Sequence, residues 1–99
     1  MADLLAITHL DTRDLDHELI AEVTRLRPKR VTILIEGADA SWAADESHAG
    51  HELRDRLAYL LAAIERSTGA VVVGVASGDE QLAGWRFDRV VRTGVPVAA

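Results

Sequence analysis

Four short apolar runs, at residues 4–10, 31–36, 71–76 and 87–92, are separated by segments long enough for helices. That alternation restricts the fold more than any other feature. Strands that alternate with helical segments are joined by crossovers, which make the strands parallel and lay helices over the sheet. The runs themselves agree. Leu4-Leu5-Ala6-Ile7, Val31-Thr32-Ile33-Leu34-Ile35 and Val71-Val72-Val73-Gly74-Val75 are nearly continuous in apolar residues, as expected of strands covered on both faces. A chain of 99 residues is expected to form a single α/β domain over 1–99, with a modest core and no room for a second.

The first helix is predicted over residues 14–26, where Leu15, Leu19, Val23 and Leu26 form a core stripe. Asp14, Asp16 and Glu18 at its start and Arg25 and Arg27 at its end complement the helix dipole, and Pro28 stops it. Asp14 is the expected N-cap, with Asp11 and Thr12 as neighbours able to serve. A longer helix is predicted over residues 45–67, with Leu53, Leu57, Leu60, Leu61 and Ile64 on its core face. Glu52 and Arg56 are expected to form an i,i+4 ion pair on its solvent face, and Gly69 to provide a left-handed C-terminal cap. Only about two helical turns fit between residues 79 and 85 before the fourth strand. Val95-Pro96-Val97 suits a short fifth strand, which Pro96 would confine to an edge or a strand start.

Composition excludes several classes of function. The chain has no cysteine, hence no disulfide framework, thiol nucleophile or thiolate metal site. Its net charge of −5 opposes nonspecific binding to nucleic acid, and the local cluster Arg25, Arg27, Lys29 and Arg30 reads as the charged close of a helix. No apolar run approaches the ~20 residues that a membrane helix needs. Met1-Ala2-Asp3 lacks the basic start and apolar core of a signal peptide, so a cytoplasmic address is expected.

Two constellations could carry chemistry. Parallel sheets bind ligands beyond the carboxyl ends of their strands. His9, Asp11 and Thr12 would line that crevice after the first strand, Glu36 and Gly37 after the second, Ser77 and Gly78 after the third. His17 flanks the same first junction. The other constellation is His48 and His51, three residues apart on one side of a helix. With Asp45 or Glu52 they could hold a divalent metal in an open site, although the spacing is not that of a metalloprotease. A solvated first helical turn explains the same residues, and that is the reading adopted, with no metal and no cofactor. Ser41, Ser47, Ser67 and Ser77 sit in no nucleophile elbow. Trp42 and Trp85 fall in connecting segments and suit either plugs at the core edge or interface anchors.

The order of these pieces resembles the universal stress protein family. The resemblance rests on Leu4-Leu5-Ala6-Ile7, the second strand, the long helix, Gly69-Ala70-Val71-Val72-Val73-Gly74-Val75, and the ending Phe87-Asp88-Arg89-Val90-Val91 then Thr93-Gly94-Val95-Pro96-Val97. It implies a Rossmann-like, three-layer fold with a mostly parallel sheet of four or five strands in the order 3-2-1-4-5, and often a dimer joined through the last strands. ATP-binding members of that family carry a glycine-spaced phosphate loop and a helix after the fourth strand. Here only Arg92-Thr93-Gly94 separates that strand from Val95, so both are missing. Asp11 is the nearest counterpart of the aspartate that faces the nucleotide in those members, displaced behind His9 and Leu10.

Three functional readings follow. The favoured one is a small, non-catalytic module acting through homodimerisation or through partner or ligand contact. The others are a nucleotide or small-ligand binder using the strand-end crevice, and a metal-assisted enzyme built on His48 and His51. A sheet edge at residues 95–97 invites pairing, so a homodimer is expected around residues 87–99, with Trp85, Phe87, Val90, Val95 and Val97 at its interface.

Overall fold

The computed structural model describes residues 3–37, 46–76 and 86–93. Four strands among them, β1 (Asp3–His9), β2 (Arg30–Glu36), β3 (Val71–Ala76) and β4 (Arg89–Arg92), form one parallel sheet in the order β3-β2-β1-β4. This is the parallel α/β arrangement that the alternation predicts; it is Rossmann-like, and the order 3-2-1-4 agrees with the order that the resemblance implies. The fifth strand expected at residues 95–97 lies outside the described residues. β1 is central, with Leu4 opposite both Val31 of β2 and Arg89 of β4.

The helices α1 (Asp16–Leu26) and α2 (His48–Thr68) lie over one face. Strand side chains alternate, so Leu4, Ala6, Val31, Ile33 and Ile35 point to that face, where Leu19 and Val23 of α1 and Leu53, Leu57, Leu60 and Ile64 of α2 bury them. Leu5, Ile7 and Leu34 point the other way, with Val75 and Phe87 packed against them. Gly74 lets α2 approach closely, since a Cβ there would lie 2.6 Å from Leu57 Cδ1. Gly69 ends α2 in the left-handed region, its N–H donating to Glu65 O at 2.8 Å, as the sequence predicts.

Three local expectations are corrected. The first helix is entered through a 3-10 turn, Arg13–Leu15, and Asp14 does not cap it. Leu15 N–H donates to Thr12 O at 3.0 Å, so backbone does the work assigned to the aspartate. The long helix begins at His48, with Ser47 as N-cap accepting from Gly50 N–H at 3.3 Å. The Glu52–Arg56 pair does not form. Glu52 pairs with His48 instead, and Arg56 is buried, only 4% exposed, because a partner on another element draws it inward.

Candidate ligand site at the strand ends

The carboxyl end of β1 is fixed by a buried arginine. Arg56, on the sheet-facing side of α2, donates through Nε and Nη2 to both carboxylate oxygens of Asp16, at 2.9 and 2.8 Å. Its remaining N–H groups reach His9 O (3.1 Å), Leu10 O (3.2 Å) and Thr8 Oγ1 (3.2 Å). The five donors of a guanidinium are thus all satisfied. Both side chains of the ion pair are at least nine-tenths buried. A buried bidentate pair adds little net stability over an apolar equivalent, but it fixes geometry. Here it ties α1, α2 and the turn after β1 together.

That turn is Leu10-Asp11-Thr12. Thr12 Oγ1 accepts from His9 N–H at 3.2 Å and donates to His9 O at 3.1 Å, folding the chain back over the strand end. Thr8 Oγ1, fully buried, lies within hydrogen-bonding distance of the hydroxyls of Thr12 (3.2 Å) and Thr93 (3.3 Å). This hydroxyl cluster joins β1 to the residue after β4.

The structure brings His9, Asp11, Thr12, Glu36 and Gly37 together. The His9 ring lies against Gly37, where φ is +92° and a Cβ would stand 3.0 Å from Nε2. The positive φ favours glycine there, and a Cβ would also press on the imidazole. Asp11 N–H donates to His9 Nδ1 at 3.1 Å. Glu36 forms an ion pair with Arg92, so a residue that the sequence reading passed over closes the site on the β4 side. Ser77 and Gly78 lie outside the described residues. Two hollows flank Arg56, one of about 350 Å³ beside Arg13, His17 and Tyr59, and one of about 220 Å³ beside Leu10, Glu52 and Leu53. Another, of about 490 Å³, lies at the opposite ends of the strands, between Asp3, Arg30, Val71, Val73 and Phe87.

The arrangement can bind and orient polar groups. The carboxylate within ion-pair distance of His9, that of Asp11 at 3.6 Å, is 85% exposed. A nucleophile–base–orienter set needs a buried third member to hold the base, and Asp11 is not buried. Glu22, on α1, is held below the usual carboxylate range by a hydrogen bond from Arg25.

His48 and His51 are both solvent-exposed, and each has a different neighbour: His48 Nε2 lies 3.1 Å from Glu52, and His51 Nδ1 lies 3.1 Å from the Arg54 guanidinium. A cation beside His51 repels a metal, and the described residues contain no group of three metal-ligating side chains; Asp45 lies outside them. Replacing His48 and His51 together by Gln is expected to change unfolding free energy within about ±0.5 kcal/mol, as for surface sites generally. Urea unfolding with elemental analysis checks this; stoichiometric zinc lost in the variant would contradict it.

Of the expected dimer residues, Phe87 packs against Leu5, Ile7 and Leu34, whereas Val90 is 54% exposed on β4. Trp85, Val95 and Val97, like Trp42, lie outside the described residues. No described helix is long and apolar enough to cross a membrane. Compared with family models, curated proteins and solved structures, the chain shows no significant match.

Proposed function

We propose that this chain is a small, non-catalytic module, similar in plan to universal stress proteins, that acts by holding a small polar ligand or a partner at the carboxyl ends of β1, β2 and β4 and by self-association. One observation carries the reading: the saturated Arg56 guanidinium, which braces the backbone of His9 and Leu10 and so pre-forms the rim at which His9, Thr12 and Glu36 meet. Pre-formed polar rims favour binding because little ordering remains to be done when the ligand arrives. Native mass spectrometry of freshly purified protein tests it by reporting subunit number and any retained ligand together. A bound small molecule that is lost when His9 and Thr12 are both replaced by alanine supports the reading. Turnover of a substrate that survives those replacements would overturn it.

ATP is not the expected ligand. Nucleotide phosphates need a cradle of backbone donors, usually a glycine loop at a helix N-terminus, and Arg92-Thr93-Gly94 is too short to supply one. Millimolar ATP is therefore expected to leave the melting temperature unchanged. Ligand at a hundred times its dissociation constant would add about 2.7 kcal/mol, so a binder would be plain in the melting curve. A clear ATP-dependent rise would bring Asp11 and Thr12 forward as nucleotide contacts.

A further inference from the structure

The two edges of the described sheet are built differently. β4 begins and ends in arginine, Arg89 and Arg92, and charge on an edge discourages pairing. β3 reads Val71-Val72-Val73-Gly74-Val75-Ala76, with no charge, proline or bulge to blunt it. Among the described residues it joins the sheet through β2 alone, and Val71 and Val73 are 64% and 42% exposed.

The backbone shows which groups face outward. Val71 N–H donates to Lys29 O at 3.0 Å, so Val71 turns its polar groups toward β2. In a parallel ladder alternate residues do this, which places Val73 and Val75 with it and aims the N–H and C=O groups of Val72, Gly74 and Ala76 away from the sheet. We propose that β3 pairs antiparallel with β3 of a second copy, about a two-fold axis at Gly74. This rests on the self-association proposed above and places it on the edge away from residues 87–99.

The edge complements itself. Gly74 meets the second copy's Gly74, Val72 meets its Ala76, and each couple exchanges both backbone hydrogen bonds. The residue at the axis has no side chain to obstruct the approach of the strands. On the other face Val73 stands opposite the second copy's Val75 in a non-hydrogen-bonded position, where β-branched side chains come closest. Exposed valine is thereby covered by valine, in an isologous contact that closes at two copies.

Sedimentation velocity of the full chain at micromolar concentration, with three variants, tests this. The expected result is a dimer that falls to half its mass in Val73→Lys and in Val72→Pro, which removes an outward N–H without touching the β2 ladder, and that persists in Val90→Lys. Because the chain has no cysteine, register is tested directly. A mixture of the single variants Val73→Cys and Val75→Cys should cross-link on oxidation, while neither does so alone. This second measurement decides the matter if a charged or proline variant fails to fold. A dimer that survives Val73→Lys and is lost in Val90→Lys overturns the β3 contact while leaving self-association standing. A full chain that stays monomeric overturns both.

Discussion

Replacing Arg56 by methionine is expected to lower the unfolding free energy by about 3–5 kcal/mol, because Asp16 would keep its buried carboxylate and lose the cation paired with it. Asp16 is 6% exposed, so water does not replace the guanidinium without opening the packing between α1 and α2. Each kcal/mol shifts the melting temperature of a domain this size by about 4–8 °C, so the single variant should melt far below the parent or fail to fold. Arg56→Lys should recover little, since an ammonium cannot span a bidentate carboxylate, two carbonyls and a hydroxyl at once. Removing both charges, as Arg56→Met with Asp16→Leu, should restore much of the loss, because a buried ion pair and an apolar pair of similar volume are close in stability. Thermal and urea denaturation of the three variants checks this. Equal losses in the single and double variants would show that the network contributes through space-filling alone.

Gly74→Ala is expected to destabilise by about 1–3 kcal/mol, the range for forcing an extra carbon into a packed core. Glycine inside a strand is ordinarily a weakness that alanine relieves, so the predicted sign is opposite to the usual one. Its cause is Leu57, which is 5% exposed and would have Cδ1, Cγ and Cδ2 all within 3.0 Å of the new carbon. In the background of Leu57→Ala the same substitution should be nearly free, and a double-mutant cycle read by urea unfolding should show that coupling. Additive effects would mean that α2 shifts over β3 without resistance.

The strands were legible in the sequence because burial on both faces writes itself as a continuous apolar run. Residues 31–36 and 71–76 fall within a residue of the observed β2 and β3. The fourth run misled by two residues, since Phe87 is apolar for a different reason: it packs on the face opposite the helices before β4 begins at Arg89. The core stripe of α2 was equally plain, yet it concealed the most consequential residue. Arg56 sits three residues after Leu53 and four before Leu60, inside the stripe, and Asp16 sits three before Leu19 in the stripe of α1. A charge on a core face at those spacings is the signal that each awaited a distant partner. Pairing Arg56 with Glu52 by local spacing ignored it. Contacts between elements remote in sequence, such as Glu36 with Arg92, leave no periodic trace, and the strand-end rim was legible only as a position in the topology.

The central place of β1 bears on how the chain is made. β1, the first described strand, needs the last described one: Asp3 O waits for Asp88 N–H, Ile7 O waits for Thr93 N–H, and Leu4 aligns with Arg89. Until those residues emerge, the middle of the sheet is an open edge whose apolar side chains include Leu5 and Ile7. Parallel sheets closed by such late partners fold slowly and expose unpaired strands meanwhile. Completion of the sheet thus waits for residues 88–93, and a nascent chain stalled before Arg89 would present its own centre to chaperones as a surface.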